Sequence, residues 1–96
     1  MTFTRPEYHE DGTCLQGYVG TTYAELKKAF GKPTYGPNVE GDKTTCEWVI
    51  LFNDTTPVCI YDWKVDETDF GYKDWNIGGN SKLAIAYVKE AIRNSK

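Results

Sequence analysis

The fold turns on the stretch Thr45-Cys46-Glu47-Trp48-Val49-Ile50-Leu51-Phe52, then Asn53-Asp54-Thr55-Thr56, then Pro57-Val58-Cys59-Ile60-Tyr61-Asp62-Trp63-Lys64-Val65. Two runs rich in β-branched and aromatic residues flank four turn formers, which is the pattern of an antiparallel hairpin. With the turn centred between Asp54 and Thr55, Trp48 faces Tyr61 and Ile50 faces Cys59. One face then carries Cys46, Trp48, Ile50, Phe52, Cys59, Tyr61 and Trp63. The other carries Glu47, Val49, Leu51, Val58, Ile60, Asp62 and Lys64. A slip of one residue exchanges every partner, because strand side chains alternate with a period of two.

Upstream of the hairpin, Thr22-Tyr23-Ala24-Glu25 reads as a capping box opening a helix. Tyr23, Leu26, Ala29 and Phe30 recur at helical spacing and form one apolar stripe. Gly31 supplies a left-handed C-terminal cap, and Pro33 prevents continuation. Residues 34–43 read as a loop of turn formers. Leu15 to Val19 alternates as a short strand, and residues 1–13 form an arm or a short edge strand. Downstream, residues 66–74 are acidic and turn-like, and Trp75-Asn76-Ile77 is a last short strand. Gly78-Gly79-Asn80-Ser81 leads into a second helix with Ser81 as N-cap, whose apolar stripe is Ala84, Tyr87, Val88, Ala91 and Ile92. The expected fold class is α+β. A two-layer domain over 14–93, preceded by the arm, holds an antiparallel sheet of 3–4 strands (about four at most, counting the elements above) with two helices on one face.

Composition narrows the chemistry. The chain has 96 residues, enough for one core. Lys plus Arg is 11 and Asp plus Glu is 14, for a net charge of −3. With cations spread along the chain and no basic run, direct nucleic-acid binding is not expected. No apolar run reaches the roughly 20 residues of a membrane span, and Met1 to Asp11 has no apolar stretch of a secretory signal. A cytoplasmic protein without membrane contact is expected. Aromatics make up 15% of the chain, so they supply much of the core and some recognition surface.

No catalytic set emerges. Cys14, Cys46 and Cys59 have neither metal-site nor redox spacing and read as free thiols. His9 is the only histidine and sits in the arm, a poor place for a proton relay. The acids after the hairpin do not match a calcium-binding loop. Neither a metal nor a cofactor is therefore expected, and the chain reads as a non-enzyme.

Two binding surfaces suggest themselves. Trp63, Asp66, Glu67 and Asp69 form an acidic, Trp-flanked segment suited to a basic surface on a protein partner. Alternatively, Tyr72, Trp75, Gly78, Gly79, Asn80 and Ser81 could cradle a nucleotide-like ligand at a helix start, with two glycines allowing close backbone approach. Self-association is compatible with either.

The run from Thr22 to Trp63, a capped helix, Gly31-Lys32-Pro33 and then a hairpin opened by a Trp-containing strand, resembles the repeating unit of β-lactamase-inhibitor-like and outer-membrane assembly lipoprotein domains. That resemblance implies only a fold. Leu15-Gln16-Gly17-Tyr18-Val19, Ala29-Phe30-Gly31-Lys32-Pro33, Glu47-Trp48, Ile60-Tyr61-Asp62-Trp63-Lys64 and Asp74-Trp75-Asn76-Ile77-Gly78-Gly79 together resemble small proteins encoded by tailed bacteriophages. This second resemblance implies an accessory protein that inhibits a host process, such as a CRISPR or restriction defence, and supplies no catalytic residues.

Overall fold

The computed structural model describes residues 2–6, 14–40, 43–65 and 71–96, with backbone alone for 37–40, 43–45 and 63–65. The elements are β1 (Phe3–Thr4), β2 (Cys14–Thr21), α1 (Tyr23–Phe30), β3 (Tyr35–Glu40), β4 (Lys43–Phe52), β5 (Thr56–Val65), β6 (Lys73–Gly79) and α2 (Leu83–Asn94). The strands form one antiparallel sheet in the order β1-β4-β5-β6-β2, with β3 also paired to β4. Six strands replace the expected three or four. Residues 35–40, expected to be loop, form β3, which tolerates Pro37 because it is an edge strand. The expected arm contributes β1, and its Phe3 ring packs edge-on against Phe30 at 5.2 Å.

The hairpin is correct in kind and shifted by one residue. Phe52 pairs with Thr56, Ile50 with Val58, Trp48 with Ile60 and Glu47 with Tyr61. The cause lies in the turn. Asn53 (φ 54°) and Asp54 (φ 60°) are both left-handed, and the Thr55 amide donates to the Phe52 carbonyl at 3.0 Å. Two successive left-handed residues make the tight reversal that suits strand twist, so the loop centres on Asp54 instead of between Asp54 and Thr55, and every pairing moves by one residue. The second strand therefore changes faces. Val58, Ile60 and Asp62 join Cys46, Trp48, Ile50 and Phe52 beneath the helices, and Cys59 and Tyr61 move to the far side.

Both helices cover this one face. α1 begins as its sequence suggests: the Thr22 hydroxyl accepts from the Glu25 amide at 3.1 Å. It ends at Gly31, whose φ of 87° needs a residue without Cβ strain. The Gly31 carbonyl then accepts from Trp48 Nε1 at 2.9 Å, satisfying an indole that is fully buried. Trp48 meets Trp75 edge-on at 5.6 Å and Tyr23 at 5.5 Å, and Phe52 lies between Phe30 and Tyr87. Leu26, Ile50, Ile60, Ile77 and Val88 complete a core with no solvent exposure at these five positions.

Helix α2 starts at Leu83 with Lys82 at the cap position, one residue later than expected. Ser81 still serves the end, because its hydroxyl accepts from the Leu83 amide at 3.1 Å. Lys96 then ties the far end of α2 to Glu25 of α1 at 3.1 Å. Glu25 is held below the usual carboxylate range by Lys96 first; burial opposes this, and the Thr21 hydroxyl and the Thr22 amide add to the lowering.

One acid is buried on the helix side. The Asp62 carboxylate accepts from the Cys46 amide at 2.5 Å and from Lys73 Nζ at 3.0 Å. Lys73 also lies 4.4 Å above the Trp75 ring, so its charge is compensated from two directions. No helix among the described residues is long and apolar enough to cross a membrane.

Candidate functional site

With the helices on one face, strand alternation sends the intervening side chains to the other. The pairings Tyr18 with Asn76, Asn76 with Tyr61, Tyr61 with Glu47 and Glu47 with Tyr35 place five residues in one row across β2, β6, β5, β4 and β3. At about 4.8 Å per strand, the row spans about 19 Å. A second row runs Leu15, Gly78, Cys59 and Val49. Close approach confirms that these share a face: a Cβ on Gly78 would stand 2.9 Å from Cys59 Sγ and 3.6 Å from the Tyr61 ring. Gly78 is a packing requirement here, since any side chain would displace the thiol.

The rim of this face is apolar and exposed. Tyr72 is 72% exposed, Tyr18 57% and Leu15 49%. Tyr72 reaches over Gly20 beside Asp74, where a Cβ would collide with its hydroxyl. Tyr61 sits half-buried at the centre. Burial first, then Cys59, Glu47 and Tyr18, push its hydroxyl above the usual tyrosine value, which keeps it protonated and able to donate. The Tyr61 carbonyl is already engaged by Asn76 Nδ2 at 3.1 Å. Among the described side chains of this face, the charged ones are Glu47 and Asp74, both acidic.

Charge on the helix layer is opposite. Lys27, Lys28, Lys32, Lys82, Lys89, Arg93 and Lys96 are all exposed there, against two half-buried acids, Glu25 and Glu90. Among the described residues, seven cations that look spread along the sequence are therefore gathered on the helix side by the fold.

The residues expected from sequence fall differently. Trp63 lies in β5 with its side chain outside the described residues, and Asp66, Glu67 and Asp69 lie wholly outside them, as does His9. The alternative set does not form one cradle. Gly78 and Gly79 are not a loop but the buried end of β6, paired on both sides. Trp75 and Gly79 point to the helices, Tyr72 and Gly78 to the open face, and Asn80 and Ser81 belong to the approach to α2. The physical cause is the pleat, which separates neighbours onto opposite faces. A Cβ on Gly79 would stand 3.0 Å from the Pro57 carbonyl and 3.1 Å from Ala84, so this glycine serves helix-to-sheet contact.

Sequence reading missed the tyrosine row because the register placed Tyr61 with Trp48. The dipeptide Asn53-Asp54, two residue types that tolerate a left-handed backbone, was the available signal. Reaction chemistry has little to use in the described part. Cys46 is fully buried, and burial, with Asp62 next, pushes its thiol up to about 12. No three His, Cys, Asp or Glu side chains among the described residues are placed to hold a metal ion.

Comparison with known proteins finds no matching family model, no matching curated protein and no matching solved structure.

Proposed function

We propose that this chain is a non-catalytic binding module whose open sheet face docks on a basic surface of another protein. The observation that carries this reading is the row Tyr18, Asn76, Tyr61, Glu47 and Tyr35, exposed at its rim and opposite the helices. Tyrosine gives large contact area at low entropic cost and a hydroxyl for a partner's polar groups, which is why interfaces are rich in it. The same face could stack nucleobases, but its described charges are acidic and would repel a phosphate backbone. A cationic protein surface fits both the rings and the acids. Asp66, Glu67 and Asp69, in the connection between β5 and β6, add negative charge next to Tyr72 in sequence, and with Trp63 they remain our proposed contacts. Covering a basic surface that a host enzyme uses for nucleic acid would inhibit that enzyme, in keeping with the phage-type resemblance.

The test is capture of a partner from bacterial lysate at low and high salt, followed by titration of that purified partner. A stoichiometric protein, bound more weakly at high salt and about tenfold more weakly by Tyr35→Ala/Tyr72→Ala (on the order of 1.4 kcal/mol), supports the reading. Replacing Asp66, Glu67 and Asp69 with Lys should weaken binding and flatten its salt dependence. Unchanged affinity in both variants overturns the surface. A nucleotide released on denaturation, with no protein partner, overturns the function.

A further inference from the structure

The two edges of the sheet are built differently. On one side, β3 carries Pro37, a left-handed Gly36 (φ 85°) and a register break between Tyr35 and Asn38, and β1 is two residues long. Proline, bulge and short length each obstruct the addition of another strand. On the other side, β2 runs eight residues, Cys14-Leu15-Gln16-Gly17-Tyr18-Val19-Gly20-Thr21, with no charge and no proline. Its one irregularity, at Gln16, leaves Gly17 to Thr21 regular. Among the described residues, β2 pairs with β6 and nothing pairs its outer side. Leu15 and Tyr18, half exposed, stand along this edge.

We propose that β2 pairs antiparallel with β2 of a second copy of this chain across a two-fold axis. Such a contact is isologous, so the strand must complement itself. An uncharged strand does so without setting like charges opposite one another. Pairing satisfies the outward amides and carbonyls of β2 and shields Leu15 and Tyr18 with their counterparts. A strand without charges offers nothing to select a charged foreign segment, so its own copy is the occupant that fits. The two sheets become one, and the open faces join across the seam.

Sedimentation and light scattering over a concentration series test this together with hydrogen exchange. The mass should rise from 10.9 kDa toward twice that value. Amides within β2 should exchange more slowly as concentration rises, with those of β3 unchanged. Leu15→Lys with Tyr18→Lys should weaken the dimer at least tenfold. Both sites are exposed, and far-UV circular dichroism checks that the variant folds. Tyr35→Ala, on β3 at the opposite edge, should dimerise normally, which separates this contact from the docking face. A mass of 10.9 kDa at the highest soluble concentration overturns the proposal. So does a dimer unaffected by the lysines, or one whose β2 amides exchange as in the monomer. A monomer whose β2 amides are slowed by an added extended peptide would assign the edge to a foreign strand instead.

Discussion

Cys46 shows how much one residue's environment changes its chemistry. Its thiol is fully buried near the Asp62–Lys73 pair, and ionisation would place a second negative charge beside Asp62. A thiol pKa pushed up to about 12 in the folded chain, against 9.0 ordinarily, has a definite linkage sign. Below pH 9 both states are protonated, and the full stability is present. Between pH 9 and pH 12 the unfolded thiol ionises and the folded one does not, so stability falls by about 1.4 kcal/mol per pH unit. Urea unfolding at pH 8 and pH 10 should show this loss in the native sequence and a smaller one in Cys46→Ala. Because Cys14 is exposed while Cys46 and Cys59 are buried, a thiol reagent should find one fast-reacting cysteine before denaturation and three after it. Equal reactivity of all three would contradict this burial.

At the scale of elements, the hairpin turn decides the most. Asp54 adopts a left-handed conformation that costs a non-glycine residue roughly 1–2 kcal/mol. It is exposed, so its side chain is dispensable to the core. Asp54→Gly should therefore stabilise the chain by about 1 kcal/mol in urea unfolding, with the register retained. A destabilised variant would mean that the turn is not the left-handed pair seen here. Helix α1 needed no such correction. The Thr22 cap, the apolar stripe ending at Phe30 and the Gly31 terminator were readable because each depends on residues within one turn. β3 was not readable, because Gly36 and Pro37 signal a turn locally and become a strand only against the edge of β4.

On the scale of the whole molecule, net charge describes this chain poorly. Its value is −3, yet among the described residues the open sheet face carries Glu47 and Asp74 while the helix layer carries seven exposed cations. The smallest dimension of the fold, 21 Å, exceeds the Debye length of about 8 Å at physiological salt, so the two sides act independently on a ligand. Despite its acidity, the protein should be retained on a sulfonate resin at pH 7 and low salt. Lys82→Glu, Lys89→Glu and Arg93→Glu together, on one exposed stripe of α2, should abolish that retention. Elution of the native chain in the void would show that the acids dominate at every orientation.

The sequence by itself determined the class of this protein and its local pieces. Capping chemistry, helical periodicity and alternating strands are short-range properties, and they were present in Thr22 to Phe30, in Leu83 to Asn94 and in the hairpin. Tertiary structure alone decided which face each strand residue occupies, since a one-residue shift at Asn53 and Asp54 inverts β5. It therefore decided that Asp62 is buried and that Tyr61 joins Tyr18 and Tyr35 on the open face. It also placed Gly78 and Gly79 inside the sheet rather than in a ligand loop. Side-chain chemistry is written residue by residue, whereas a surface is assembled across five strands whose register depends on every turn between them.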